Sequence, residues 1–548
     1  MFRFLLVFCL LGVTLPVFSL DSAPGPADFS NPSDSSNPAD FDGGARGDSA
    51  MAARYAQWAK DAVDQGRWSE AIAGLERASD FAGVSSDISY LLALARSHES
   101  KGRRLVLEAL NRSIAVNRWT LYDSDAARLM KAENLICMRA YPEALAELSP
   151  LSKSPQEAVL TLRAFEFFKP DEFLRFMADT LDRFPRETGP VRVFFDYLRN
   201  KNAGGLKAAK EDPALLELIL RRLPVLLPKD PELAWMAAPF MRDSDEAKRL
   251  VEAYRAVHTP VPASLPAALR LGVIDEKTAM EELFAPPVDK TGPVLDVALL
   301  TELWNLLRTE EARAVFRRNL SAYTGVFIED ADKDGIPEVS VEYSGGLLTQ
   351  YNYDADQDGC PELTVFFEAG VPTRASALIP PDVSAGQRAD IQWERYPAIL
   401  NVELAGVRYI PRPIDFHYSP ITFEDFCGSG LLFPRREPLS PPLTRRLLVF
   451  SVHLIERPSR EFKGGIEIVE LARGIPVLAR EYVGGLKVSE TEFLRGRPQL
   501  QRLDLNLDGR MDTVRRFKRN YKPVELENLW DYDRDIDTVS TWDGEYGE

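Results

Sequence analysis

Two nine-residue acidic segments in the second half of the chain are nearly identical, and they constrain the fold more than any other feature. Residues 330–338 read Asp-Ala-Asp-Lys-Asp-Gly-Ile-Pro-Glu, and residues 354–362 read Asp-Ala-Asp-Gln-Asp-Gly-Cys-Pro-Glu. A third segment, residues 504–512, keeps the same register as Asp-Leu-Asn-Leu-Asp-Gly-Arg-Met-Asp. Oxygen-bearing side chains stand at positions one, three, five and nine, and the glycine at position six permits a tight turn. This spacing predicts loops that gather oxygen atoms around one point.

A hard cation such as Ca²⁺ prefers oxygen ligands, so the three segments predict structural calcium sites. The position-seven residue of each loop would add its backbone carbonyl oxygen. The predicted ligands are Asp330, Asp332, Asp334, Ile336 and Glu338 in the first loop, Asp354, Asp356, Asp358, Cys360 and Glu362 in the second, and Asp504, Asn506, Asp508, Arg510 and Asp512 in the third. The loops are not EF-hands, because position twelve is Val341, Val365 or Arg515 and supplies no bidentate carboxylate. The alternative is a tight turn held by Asp side-chain hydrogen bonds without an ion.

Residues around the first two loops alternate between apolar and polar side chains, which is typical of half-buried β-strands. Residues 339–343 alternate, a Gly345-Gly346 turn follows, and residues 347–353 lead back to the second loop. The loops begin 24 residues apart, at 330 and 354, which predicts one β-hairpin per repeat over residues 321–380. The loops and their adjoining strands resemble the calcium loops of thrombospondin type 3 modules and of bacterial surface proteins with D-x-D-x-D-G repeats. That resemblance implies calcium bound by the loops.

Residues 381–548 contain further strand-like runs that proline clusters interrupt. A strand, a Gly484-Gly485 turn and a second strand lead into the third acidic loop. The pattern fits one extended antiparallel meander with an insert, and it equally fits two small sheets.

Residues 51–320 follow a helical period, and their first part repeats. In residues 65–78, Gly66 stands at a turn and Trp68 supplies an aromatic side chain. The equivalent alanines Ala71, Ala109 and Ala144 are separated by 38 and 35 residues, near a repeat length of ~34 residues. The segment resembles the tetratricopeptide repeat. That resemblance implies a solenoid of helical hairpins whose concave face binds a protein or peptide partner.

The N-terminus has the pattern of an exported protein. Arg3 precedes an apolar run over residues 4–18, and small residues near Ser19 predict a signal peptide over residues 1–20. Lipoprotein processing at Cys9 is an alternative. Residues 21–50 are rich in Pro, Ser, Asp and Gly, which predicts a disordered linker. The Arg46-Gly47-Asp48 tripeptide within it is read as linker in preference to a receptor-binding motif.

The formal net charge of −17 argues against a nucleic-acid or anionic-membrane partner. After the predicted signal peptide, no segment is long and apolar enough to span a membrane, so no transmembrane span is expected in the mature chain. Loss of that peptide would leave Cys137, Cys360 and Cys427, too few for a disulfide framework. Pairing of Cys360 with Cys427 stays open at this stage.

Catalytic motifs are absent from the sequence, and the four histidines are isolated from one another. The group Asp415, His417, Glu424 and Asp425 could supply acid/base chemistry for glycan hydrolysis, or it could be a polar loop between strands. We therefore expect an α+β multidomain chain, with the helical solenoid followed by the β-hairpin region. The expected function is that of an exported, non-enzymatic scaffold or adaptor of a bacterial cell envelope, with an outer-surface adhesin as the alternative and a hydrolase as the less favoured one.

Overall fold

The structure is a computed structural model that describes residues 44–81, 85–98, 102–151, 154–201, 213–285, 294–379, 387–412, 416–437, 443–444, 448, 451–517 and 536–541. The predicted signal peptide and most of the predicted linker lie outside these residues. Helices fill the N-terminal half and strands the C-terminal half, which confirms the α+β class. Among the described helices, none combines the length and the apolar character that crossing a membrane requires.

The helical half is built from antiparallel pairs. Its helices are α1 (Gly44–Asp64), α2 (Trp68–Phe81), α3 (Ser86–His98), α4 (Arg103–Val116), α5 (Ser124–Cys137), α6 (Tyr141–Leu148), α7 (Pro155–Phe168), α8 (Pro170–Arg183), α9 (Gly189–Lys201), α10 (Pro213–Leu226), α11 (Leu233–Ala237), α12 (Ser244–Val257), α13 (Leu265–Arg270), α14 (Glu276–Leu283), α15 (Val297–Leu306) and α16 (Glu310–Ser321). The first eight form four successive hairpins with short turns.

Small side chains lie where the paired helices approach each other. Ala71 and Ala144 are fully buried and Ala109 is 3% exposed, as expected for the small packing positions of a helical-hairpin repeat. Trp68 stacks on His98 with ring centroids 3.9 Å apart and thereby connects the first hairpin to the second. Buried residues of α1–α5 form one apolar cluster, and α7–α13 share another. The N-terminal half is therefore a helical-hairpin solenoid.

The strands are β1 (Val294–Asp296), β2 (Gly325–Glu329), β3 (Val339–Ser344), β4 (Leu347–Tyr353), β5 (Leu363–Glu368), β6 (Val371–Leu378), β7 (Arg388–Arg395), β8 (Ala398–Leu404), β9 (Val407–Pro411), β10 (Ile421–Asp425), β11 (Leu432–Arg436), β12 (Val452–Pro458), β13 (Ile466–Ala472), β14 (Ile475–Val483), β15 (Leu486–Leu494), β16 (Arg497–Leu503), β17 (Thr513–Phe517) and β18 (Ile536–Thr541). Sixteen of them form one sheet in chain order, and β10 and β11 form a separate hairpin between β9 and β12. Every pairing in the large sheet is antiparallel except that of β1 with β2. One meander with an insert is thus the correct alternative for residues 381–548.

A single register row crosses all sixteen strands on the side of the sheet that faces the core. It comprises Leu295, Phe327, Val341, Tyr351, Val365, Ala375, Ile391, Val402, Tyr409, Ile455, Val469, Ala479, Thr491, Gln501, Arg515 and Val539. The row is buried from Leu295 to Gln501, and it changes from apolar to polar at Thr491. Helices α14–α16 and the β10–β11 hairpin cover the apolar part of this face.

The two ends of the strands differ in their connections. Six two-residue turns join neighbouring strands, and both residues of each turn have positive φ, as in type I′ hairpins. Four of these turns lie at the end of the sheet opposite the acidic loops, and the β8–β9 and β14–β15 turns lie at the same end as the loops. The acidic loops join β2 to β3, β4 to β5 and β16 to β17. Since consecutive antiparallel connections alternate between the two ends of a sheet, all three acidic loops lie at the same end.

Two sequence-based boundaries differ from the structure, and one question that the sequence left open is answered. Helix α1 begins at Gly44, so residues 46–48 form part of a helix and not of a linker. The predicted solenoid does not end as an independent unit at residue 320, because α14–α16 pack into the core of the sheet and β1 pairs with β2. Cys360 and Cys427 are free thiols, so the pairing that was left open is not formed.

Candidate functional site: the acidic loops and the solenoid edge

The three acidic loops share one backbone conformation. The residue at position four, which is Lys333, Gln357 or Leu507, has positive φ in each loop, as does the glycine at position six. Only a few residue types adopt this conformation readily, and a glycine at position six removes the steric cost at one of the two points. The repeated conformation follows from the repeated sequence.

Backbone N–H groups inside the first loop hold its carboxylates in place. Glu338 Oε2 accepts a hydrogen bond from the Ala331 N–H at 2.8 Å, and Asp334 Oδ1 accepts one from the Ile336 N–H at 2.8 Å. Asp330 accepts from the Lys333 N–H at 2.6 Å and from the Gly335 N–H at 2.8 Å. Asp332 Oδ1 accepts at 3.2 Å from the Asp334 N–H. These bonds leave the second oxygen of Asp332, Asp334 and Glu338 free for another partner.

The second loop repeats these contacts. Glu362 Oε2 accepts from the Ala355 N–H at 2.7 Å, Asp354 Oδ2 from the Gly359 N–H at 2.8 Å, and Asp358 Oδ1 from the Cys360 N–H at 2.7 Å. One oxygen each from Asp354, Asp356 and Glu362 lies within 4.8 Å of the others. The corresponding oxygens of Asp330, Asp332 and Glu338 form the same arrangement in the first loop. These two clusters can hold a metal ion.

Crowding of the carboxylates changes their protonation. Burial raises the pKa of Asp330 to about 7, and the neighbouring carboxylates of Asp334 and Asp332 add to the rise. Burial likewise raises the pKa of Asp334 to about 6 and that of Asp354 to about 6, with further contributions from adjacent acids. Burial and the adjacent acids therefore disfavour the charged form of these carboxyl groups, and a cation beside them would favour it.

The solenoid supplies cations to both loops. In the first, the Arg139 guanidinium contacts Asp332 Oδ2 at 2.6 Å and also contacts Glu338 Oε1. In the second, Arg104 Nη2 lies 2.6 Å from Asp356 Oδ2 and its Nε lies 2.7 Å from Asp358 Oδ2. Arg139 lies in the turn between α5 and α6, and Arg104 lies in the first turn of α4. The loops thus contact one edge of the solenoid, which is formed by the turn between α3 and α4 and the turn between α5 and α6.

Backbone contacts reinforce this edge. The Arg103 N–H, at the start of α4, donates to the Asp358 carbonyl oxygen, and the Arg103 side chain donates to the Gln357 carbonyl oxygen. The preceding residue, Gly102, offers no side-chain cap, so the acidic loop provides an acceptor for the N-terminus of α4. Gly102 also packs directly against Cys360, leaving no room for a Cβ atom. In the first loop, Asn200 Nδ2 donates to the Lys333 carbonyl oxygen at 2.9 Å.

The spacing of the two architectures explains why consecutive loops meet consecutive hairpins. Two strand spacings separate the first loop from the second, which is about 9.6 Å. Neighbouring packed helices are about 8–10 Å apart. The spacing between the two loops therefore matches the spacing between neighbouring layers of helices. The first loop reaches Arg139 in the third hairpin, and the second loop reaches Arg104 in the second hairpin.

The third loop differs from the first two. Asp504 is fully buried, and its oxygens accept from the Asp508 N–H at 3.2 Å and the Gly509 N–H at 2.7 Å. Asp512 Oδ2 accepts from the Leu505 N–H at 3.2 Å. Within the described residues, the third loop does not bring three carboxylates within 4.8 Å of one another. It lies about ten strand spacings from the second loop, ~48 Å along the sheet.

Sequence reasoning located the acidic residues and missed their partners. Arg104, Arg139, Asn200 and Gln357 were not predicted as site residues, because nothing local distinguishes them from other polar surface residues. The Ile336 carbonyl, predicted as a metal ligand, accepts from Gln357 Nε2 at 2.9 Å, so the second loop also bonds to the first.

The residues considered for hydrolysis serve the β10–β11 hairpin. Glu424 Oε2 accepts from Arg435 Nε at 2.8 Å, and Asp425 Oδ1 accepts from the Gly430 N–H at 2.9 Å. His417 is exposed and forms an isolated bridge with Ala398. Asp415 lies outside the described residues. These contacts fit a polar connection between strands.

Comparisons with solved structures give likenesses that are too weak to carry an argument about this chain. No protein-family model matches the chain, and no curated protein matches its sequence. A tetratricopeptide repeat protein from Parabacteroides merdae is 9% identical, with a TM-score of 0.34 over 49% of this chain and 98% of that one. A Pseudomonas aeruginosa structure described as a functional characterization of pilF is 13% identical, with a TM-score of 0.26 over 50% of this chain and 98% of that one. These scores are low, and the solenoid assignment rests on the helical hairpins of this chain.

Proposed function

We propose that this protein is a non-enzymatic, protein-binding scaffold whose helical solenoid and β-sheet are joined through calcium-binding loops. The observation that carries the proposal is the convergence of three carboxylate side chains in each of the first and second loops. Export to the cell envelope is part of the proposal. Extracellular calcium modules commonly bind at about 10⁻⁴ to 10⁻³ M, a concentration range that an exported protein can meet.

Unpaired oxygens favour a metal over a turn held by hydrogen bonds alone. Asp334 Oδ2 and Asp354 Oδ1 are both buried and have no hydrogen-bond partner. A buried unpaired carboxylate oxygen costs free energy that a Ca²⁺ ion at 2.3–2.6 Å would recover. Tight turns alone would need only the backbone hydrogen bonds that the other oxygens already accept.

The first hairpins of the solenoid offer the surface for a protein partner. A groove of about 190 Å³ lies between α2, α3 and α4, and charged side chains line much of it. The lining includes Glu76, Asp80, Arg96, Glu108 and Arg112. Such a groove suits an extended peptide that carries both charges. Because the acidic loops contact the turns at the edge of the solenoid, they leave this groove open.

Thermal unfolding of the full chain tests the calcium claim. Calcium at ~100 times Kd should stabilise the folded state by about 2.7 kcal/mol per site relative to chelator. Asp332→Asn and Asp356→Asn should each remove part of this gain, since both keep the side-chain shape and lose one charge. Asp182→Asn is the matched control, because Asp182 lies on α8 with a side chain 76% exposed. Equal unfolding temperatures with calcium and with chelator would contradict the proposal.

A further inference from the structure

The solenoid arginines contact carboxylate oxygens that belong to the two acidic loops and that a cation in those loops would also attract. In the first loop these are Asp332 Oδ2 and Glu338 Oε1, which both contact Arg139. In the second loop they are Asp356 Oδ2 and Asp358 Oδ2, which both contact Arg104. The other oxygen of each carboxylate is committed to the backbone of its own loop. A cation and a guanidinium are both positively charged and therefore compete for these oxygens.

The guanidinium of Arg139 fits its loop incompletely. Its Nε faces Asp334 Oδ2 at 3.9 Å, too far for a hydrogen bond, and both atoms are buried without a hydrogen-bond partner. The Asp334 side chain is only 5% exposed, so water does not replace the missing partner readily. A planar fork with fixed donor directions cannot reach every oxygen of a cluster that converges on one point. A spherical dication can.

We propose that divalent cations and the arginines of the solenoid exchange at the first two loops, so that cation binding releases the loops from the solenoid edge. The inference rests on the proposed calcium function and adds its regulation. In the arginine-bound state, the carboxylates fasten the sheet to consecutive helical hairpins. In the cation-bound state, the same carboxylates turn inward to the ion and the arginines return to water.

The loss of the ion pairs removes the charge attraction that keeps the remaining contacts together. The Arg103 N–H and the Asp358 carbonyl lie beside the Arg104 pair, so they separate when the second loop moves away. Arg104 is 66% exposed and Arg139 is 35% exposed. Solvent already weakens the more exposed pair, so the second loop should exchange at the lower cation concentration.

Linkage gives the exchange a sign that can be measured. If calcium weakens the contact between the acidic loops and the solenoid arginines by some factor, that contact weakens calcium binding by the same factor. Removing an arginine must then raise calcium affinity. The opposite expectation holds if the arginines support the loops in a metal-binding shape, because their removal would then lower the affinity.

Calorimetric titration of CaCl₂ into the full chain and its variants tests this sign. Arg104→Ala and Arg139→Ala should each bind calcium about tenfold more tightly than the wild type at the affected loop. Arg104→Lys and Arg139→Lys retain the charge and should fall between. Arg221→Ala is the matched control, since it removes one positive charge from α10, where the side chain is 75% exposed and pairs with Glu217. It should bind calcium as the wild type does.

Hydrogen exchange reports on release of the edge in the same samples. Calcium should speed exchange in residues 102–108 at the start of α4, while strand β13 should stay unchanged. If the arginine variants bind calcium as tightly as the wild type or more weakly, the proposed exchange between cation and arginine is wrong and the calcium function still stands. If only the arginine variants bind calcium, the competition between cation and arginine is supported, and calcium binding by the unmodified chain is wrong. No binding in any variant would overturn both.

Discussion

Gly102 is the point where the solenoid and the second acidic loop approach most closely, and adding one methyl group there should disrupt the contact. A Cβ atom at this position would collide with the Cys360 sulfur and would lie 3.3 Å from the Asp358 carbonyl oxygen. The backbone at Gly102 has φ −29°, so an alanine is not penalised for left-handed conformation. The collision with Cys360 is the source of loss that we expect in Gly102→Ala, and a second substitution tests it.

The expected cost is that of overpacking a close contact, about 1–3 kcal/mol. That range corresponds to roughly a 5- to 150-fold loss of hydrogen-exchange protection at the edge. Exchange measured by mass spectrometry over residues 102–110 and 356–362, without calcium, should show it. Strand β13 is distant from the contact and serves as the internal control.

A second substitution identifies the cause. Cys360→Ala removes the sulfur and leaves a Cβ atom 3.8 Å from the added methyl, an ordinary contact distance. Gly102→Ala combined with Cys360→Ala should therefore recover most of the protection. Unchanged exchange in Gly102→Ala, or a loss that Cys360→Ala fails to repair, would refute the docking geometry.

Two further predictions concern stability. Burial raises the pKa of Glu166 to about 7, above its ordinary value of 4.5, so the folded state binds this proton more tightly than the unfolded state and loses stability as pH rises from about 4.5 to 7. Glu166→Gln keeps the side-chain oxygen that accepts from Asn200, and it should stabilise the folded state by up to about 3 kcal/mol at pH 8 but not at pH 4. Urea titrations at the two pH values would measure both effects. Equal effects at pH 4 and pH 8 would contradict the prediction. Ala405 has φ 51° in the turn between β8 and β9, so Ala405→Gly should stabilise the folded state by about 1 kcal/mol and raise the urea midpoint of unfolding. Ala377→Gly, inside β6, should lower that midpoint.

Local patterns predicted the elements of this fold well. The alternation in residues 339–343 and the Gly345-Gly346 turn predicted the β3–β4 hairpin, because side-chain period and turn type depend on neighbouring residues only. The alanines at the repeat positions predicted close helix pairs for the same reason. Calcium binding at the predicted ligands remains a prediction.

Long-range contacts were beyond local patterns. Arg104 and Asp356 are 252 residues apart in the chain, and nothing beside either residue specifies the other. The single sheet likewise depends on a register row whose members come from every strand, so it could not be separated from two small sheets in the sequence. The packing of α15 and α16 on that sheet also escaped prediction, because their apolar faces resemble those of the solenoid helices.

The most direct test of the central claim is a count of calcium ions bound to the full chain at saturation, by equilibrium dialysis with atomic absorption. The two carboxylate clusters predict two ions per chain, with Asp332→Asn and Asp356→Asn each losing one. A chain that binds no calcium at ~10⁻³ M, or whose bound ions survive both substitutions, would contradict the assignment of the first two loops as cation sites.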